Sequence, residues 1–220
     1  MADILVINPN SNAGVTRGID EALAPLRSPG HNIKVINLEG TPGGIQSQAD
    51  VDFVALPVAE RIEHDNADFD AFVIACFSDP GLFVSRERSA KPVFGIAQTG
   101  MLTALSLGQH VGVISILSGS IARHWRFYRS LGIDSAVAGD VAVNTPVAEL
   151  ADEHKVLGRM LAAGRTLVQD KSADVLVLGC AGMARYRAAL EQELQVPVVD
   201  PTQAAVTLAL GGAQLGYVTR

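Results

Sequence analysis

The feature that most constrains this chain is that it nearly repeats itself. Asp3 to Asn8, "DILVIN", resembles His110 to Ser115, "HVGVIS", at an offset of 107. Asp70 to Cys76, "DAFVIAC", resembles Asp174 to Cys180, "DVLVLGC", at an offset of 104, and Pro92 to Ile96, "PVFGI", is answered by Pro197 to Asp200, "PVVD", at an offset of 105. Three landmarks in the same order at nearly one spacing point to a duplicated unit. A chain of 220 residues, 48% of them hydrophobic, has room to bury a core in each of two such halves.

The repeated landmarks are short aliphatic and β-branched runs. Strands are expected at Ile4 to Ile7, Ile33 to Ile36, Ala71 to Ala75, Val93 to Ile96, Val111 to Ser115, Val175 to Leu178 and Val196 to Val199. Most are apolar at every position, the pattern of a parallel strand covered by helices on both faces. Helical periodicity lies between them, at Val15 to Leu26, Gly100 to Leu107, Ser120 to Leu131, Val147 to Gln169, Arg187 to Leu194 and Gln203 to Gly211. Alternating strands and helices define an α/β chain with parallel sheets and right-handed crossovers. The expected architecture is two pseudo-symmetric lobes, each a mainly parallel sheet flanked by helices, with the active site between them. Lobe 1 covers residues 1–97, lobe 2 residues 98–202, and 203–220 packs back on lobe 1.

Charge narrows the partners. A formal charge of −6 gives no concentrated basic face for a nucleic acid, whose binders displace counterions with lysine and arginine. The densest basic stretch, "RHWRFYR" at Arg123 to Arg129, reads as an amphipathic helix with Trp125, Tyr128 and Leu131 inward and Arg123, Arg126 and Arg129 outward. No apolar run approaches the roughly 18 residues of a membrane span, and no leader pattern opens the chain. Two cysteines in such a sequence indicate reduced thiols and a cytoplasmic setting rather than a disulfide framework.

Those two cysteines, Cys76 and Cys180, fall at equivalent positions of the repeat, each where an apolar strand breaks into small and turn-forming residues. Ligands of open parallel sheets bind outside the strand carboxyl ends, where helix N-termini converge. Lobes related by a pseudo-twofold axis would bring both thiols to one cleft from opposite sides. Two facing groups of one kind suit stereochemical inversion at carbon, because one removes a proton from one face while the other delivers a proton to the opposite face. A thiolate is a base and a thiol an acid, and backbone N–H groups just after each cysteine are expected to hold the developing oxyanion. At the first strand end, "INPNSN" at Ile7 to Asn12 places Asn8 toward the cleft, with Asn10 or Ser11 as helix cap, and Ser115 is the repeat partner of Asn8.

Other chemistries find less support. There is no CxxC or HExxH, and His31, His64, His110, His124 and His154 show neither ligand spacing nor a place at a strand end, so no metal is expected. "LEGTPGG" and "LALGGAQLG" match neither phosphate-loop pattern. A two-lobed binding protein remains an alternative, although binding has no need of two symmetric proton-transfer groups.

With "INPNSN", "ACFSDPGL" around Cys76, "LGCAGM" around Cys180 and "VPVVDP" at Val196 to Pro201, the chain resembles the aspartate/glutamate/hydantoin racemase superfamily, most closely its hydantoin and allantoin racemase branch. The resemblance implies cofactor-independent racemisation of a small molecule, Cys76 and Cys180 as the acid/base pair, Asn8, Phe77, Ser78, Ala181 and Gly182 as substrate-binding residues, and a homo-oligomer; Ser115 joins the substrate-binding residues as the repeat partner of Asn8. Glutamate racemases typically follow their cysteines with Asn-Thr and Thr-His, where this chain has Phe77-Ser78 and Ala181-Gly182. That difference favours a neutral cyclic ureide over a free amino acid. Amino-acid racemases, maleate isomerases and arylmalonate decarboxylases are the alternatives within the superfamily.

Overall fold

The computed structural model describes residues 2–146 and 153–218. Its first half builds β1 (Ala2–Asn8), α1 (Ala13–Ala22), β2 (His31–Asn37), α2 (Gln48–His64), β3 (Ala71–Ile74), α3 (Leu82–Arg88) and β4 (Val93–Gly95). After α4 (Ile96–Leu105), the second half builds β5 (Val111–Ser115), α5 (Ser118–Ser130), β6 (Val137–Ala142), α6 (Glu153–Arg165), β7 (Val175–Leu178), α7 (Arg187–Leu194) and β8 (Val198–Val199), and ends in α8 (Pro201–Leu215). The strands form two four-stranded sheets, ordered β2-β1-β3-β4 and β6-β5-β7-β8, and every pairing is parallel. The two halves therefore share one topology, and the duplication expected from the sequence is a duplication of the fold.

The repeated aspartates have a structural reason. Asp70, just before β3, accepts a hydrogen bond from the Asp3 amide at 3.0 Å, and Asp174, just before β7, accepts one from the His110 amide at 2.8 Å. Each carboxylate ties the start of one central strand to its neighbour, fixing the pairing register that sets where Cys76 and Cys180 emerge.

Alternation along the strands assigns the layers. On one face of sheet 1, Leu5 and Ile7 pack with Val58 and Ile62 of α2; on the other, Ile4 and Val6 meet Ala205, Val206 and Ala209 of α8. In sheet 2, Ile114 and Leu176 pack with Met160 of α6, whereas Val111, Val113, Val175 and Val177 meet Ala97, Met101 and Ala104 of α4. The last helix of each half thus covers the other half's sheet, and α4 and α8 also pack on each other. Parallel sheets need both faces buried, and here neither sheet achieves that from its own half alone.

Two helices, α2 and α3, and one strand, β6, add to those read from the sequence. A capping box of Ser47 and Asp50 starts α2, which continues through Pro57. The expected helix from Val147 begins in residues outside those described; α6 itself passes into a π-helical turn at Thr166–Asp170. Among the described residues no helix is long and apolar enough to cross a membrane.

Candidate active site

One cavity lies at the carboxyl ends of both sheets, and both thiols are on its wall. Asn10, Ile45, Gln46, Cys76, Phe77 and Ser78 line it from the first half, and Ser120, Arg123, His124, Cys180 and Ala181 from the second. The turn after β3 and the turn after β7 deliver the thiols. After Cys180 the chain enters a 3-10 turn, Ala181–Tyr186, packed against α1.

Both thiols are hard to ionise. Burial, the charge of Cys180 and the carboxylate of Asp79 push Cys76 up to about 12, against the pull of Arg123 and the Ser78 amide. Burial pushes Cys180 up to about 11, opposed by the Gly182 amide and helped by Asp200. The amides two residues beyond each cysteine therefore act on the sulfurs.

Behind the thiols stand two equivalent carboxylates. Asp200 is the N-cap of α8 and accepts from the Gln203 amide at 2.7 Å. The corresponding N-cap of α4 is Gly95, which has no side chain, and Asp79 reaches in from the loop after Cys76 to accept from the Ala97 and Gln98 amides at 2.9 and 2.8 Å. A Cβ on Gly95 would lie 2.2 Å from Asp79 Cγ, so glycine is required there for Asp79 to occupy the cap. Burial raises Asp79 to about 7 and Asp200 to about 6, despite the amides and the charges of Arg86 and Arg187.

The expected binding residues divide into wall and support. Phe77, Ser78 and Ala181 line the cavity; Asn8, Ser115 and Gly182 are not among its lining residues, and Asn8 and Ser115 are fully buried. Asn8 is fully buried because its amide nitrogen donates to Asn10 Oδ1 and to Thr16 Oγ1, both at 3.0 Å, so Asn10 rather than Asn8 borders the cavity. Asn12, not Asn10 or Ser11, caps α1, its Oδ1 accepting from the Gly14 and Val15 amides. Ser115 is equally buried, donating to Asp140 at 2.5 Å and meeting His124 Nδ1 at 3.2 Å.

Helix α5 supplies what the sequence reading missed. Tyr128 is buried and Arg126 and Arg129 are exposed as expected, but Arg123 turns inward, half-buried on the cavity wall, its Nε donating to Ser78 Oγ at 3.1 Å. His124 is buried beside it, edge-on to Phe77, with ring centroids 5.4 Å apart, and its Nδ1 lies 2.9 Å from Asp140 Oδ2. Asp140 also accepts from Tyr128 at 3.1 Å. His124 lies at no strand end; it reaches the cavity from a helix face. A buried face containing His124 and Tyr128 at i, i+4 was the available signal.

The chain was compared with known proteins. The profile of the Asp/Glu/hydantoin racemase family matches residues 4–209. A hydantoin racemase of Paenarthrobacter aurescens is 34% identical over 98% of this chain and 93% of its own length. The structure titled allantoin racemase from Klebsiella pneumoniae superposes with a TM-score of 0.92 at 31% identity, covering 100% of this chain and 91% of that one. Allantoin racemase from Pseudomonas fluorescens superposes at 0.94 with 27% identity, covering 99% and 93%.

Proposed function

The chain belongs to the Asp/Glu/hydantoin racemase family and is an isomerase of the racemase type, and from that premise we propose that it inverts a carbon next to a carbonyl in a cyclic ureide, a 5-substituted hydantoin or allantoin, with Cys76 and Cys180 as its acid/base pair and without a cofactor. The observation that supports this most is the presence of two thiols, from symmetry-equivalent strand ends, on the wall of one cavity. In the proposed cycle one cysteine, as thiolate, takes the C–H proton. The electron pair moves into the adjacent carbonyl, and the other cysteine, as thiol, returns a proton to the opposite face of the carbon. The two cysteines end with their protonation states exchanged, so the site is poised for the reverse reaction.

The surroundings fit a scarce thiolate used on an acidic carbon. Raised thiols hold their protons, so a substrate whose carbon hydrogen is itself acidic, as in a hydantoin ring, is better matched than a free amino acid. The Ser78 amide and Arg123 stabilise the Cys76 sulfur when it is ionised, and the Gly182 amide does so for Cys180. The Phe77 ring and the small Ala181 leave an uncharged surface for a planar ring.

Polarimetry in buffered water tests the substrate. Enantiopure 5-substituted hydantoins or allantoin are expected to lose optical rotation in the presence of the protein, whereas glutamate keeps its rotation. Racemisation of glutamate, with the ureides untouched, would overturn the substrate assignment.

A further inference from the structure

His124 is held more firmly than a core histidine needs to be. Asp140 accepts hydrogen bonds from Ser115 Oγ, Tyr128 Oη and the His124 ring, and because a carboxylate can only accept, the His124 proton resides on Nδ1. Ser115 Oγ sits 3.2 Å from the same nitrogen, and Phe77 fixes the ring plane by its edge contact. Nε2, on the far side of the ring, has no hydrogen-bond partner among the described residues, and the residue borders the cavity. In the neutral imidazole Nε2 is therefore an acceptor whose orientation four neighbouring groups enforce. Arg123, on the wall of the same cavity, donates through Nε to Ser78 Oγ, and among the described residues its two terminal nitrogens have no hydrogen-bond or ion-pair partner.

An acceptor next to a donor is the complement of an amide edge held cis, N–H beside C=O, which is what a ureide ring presents. Resting on the racemase reading above, we propose that His124 is a specificity-determining residue that accepts a hydrogen bond from a ring N–H of the substrate, with Arg123 donating to the neighbouring carbonyl. Ser115, Tyr128 and Asp140 are positioning residues: they set the tautomer and hold the ring. The pairing at His124 is not needed to move the proton at carbon, so His124 and the residues that position it choose the ring rather than perform the inversion. The second half supplies this arrangement; in the first half Asn8, the repeat partner of Ser115, bonds instead to Thr16 of α1.

The test compares three rings with the same C5 substituent: the hydantoin, the oxazolidine-2,4-dione in which oxygen replaces N1–H, and the 3-methylhydantoin that lacks N3–H. Hydrogen–deuterium exchange at C5 gives kcat and KM for each. The wild-type protein is expected to disfavour one of the two analogues by roughly tenfold to a hundredfold, mainly in KM, as befits a buried acceptor left without its donor. His124→Ala should reduce that preference to within about threefold by slowing the hydantoin itself, and His124→Gln, which retains an acceptor, should keep part of it. Asp140→Asn, checked by circular dichroism for folding, should behave like His124→Ala because it frees the proton to move to Nε2. Arg123→Gln should weaken all three rings alike. Equal use of all three rings by the wild-type protein, or an undiminished preference in His124→Ala, overturns the role of His124 and leaves the racemase reading standing. Exchange of none of the three overturns both.

Discussion

Cys76 and Cys180 differ from the cysteines of an ordinary core in where they sit rather than in what they are. Each is only partly buried, at a strand end, with a backbone amide on its sulfur and a carboxylate behind it. Replacing either by serine should lower racemisation by about 10²- to 10⁴-fold, since a hydroxyl is a far weaker base and acid partner at neutral pH. Steady-state polarimetry on Cys76→Ser and Cys180→Ser reads this, and a loss confined to one variant would contradict a shared role. The raised thiols also predict a pH dependence. Only the thiolate reacts with iodoacetamide, and with ionisation pushed up to about 12 and about 11 the thiolate fraction grows about tenfold per pH unit throughout pH 7 to 10. Alkylation rates mapped by peptide mass spectrometry should follow that slope, and a slope that flattens above about pH 9 would show an unperturbed thiol.

At the scale of elements, α4 and α8 hold the site together, each capped by a buried aspartate and each laid across the other half's sheet. Gly95→Ala places a Cβ where Asp79 stands and should expel the carboxylate from the α4 N-terminus, lowering stability by about 1–3 kcal/mol. Gly100→Ala drives a Cβ to 2.6 Å from Pro201 where the two helices cross, with a cost of similar size. Urea denaturation midpoints measure both, and unchanged midpoints would mean that the crossing is loosely packed. Strands and most helices were legible in the sequence because a buried parallel strand is apolar on both faces and leaves little ambiguity. β6, "VAGDVA", was not, since Gly139 and Asp140 interrupt it; Asp140 is there for His124, so the residue that hid the strand is part of the site. α2 was obscured by Pro57 and by a weak apolar stripe, though its Ser47 and Asp50 cap was readable. Cys76 and Cys180 were visible because the repeat aligned them; Arg123 and His124 were not, because they have no counterpart in the first half.

At the scale of the whole molecule, the exchanged helices imply one folding unit. Sheet 1 lacks a cover without α8, and sheet 2 lacks one without α4, so neither half buries both faces of its sheet on its own. The single tryptophan, Trp125, lies on α5 against Tyr128 and reports the second half, whereas far-ultraviolet circular dichroism reports the entire chain. Urea transitions followed by the two probes should coincide, and separate midpoints would indicate lobes that unfold independently. The same interlocking keeps the two thiol-bearing loops in one frame, as a reaction that uses opposite faces of one carbon requires.

That requirement is most directly tested by following deuterium from the solvent. One enantiomer of a 5-substituted hydantoin is mixed with the protein in deuterium oxide, and the two enantiomers are separated and analysed by mass spectrometry during the first tenth of the reaction. With Cys76 and Cys180 on opposite faces, the newly formed enantiomer should contain deuterium from its first appearance while the remaining starting enantiomer retains hydrogen. Equal deuterium in both enantiomers at early times would mean that a single group serves both faces, and would contradict the two-thiol account.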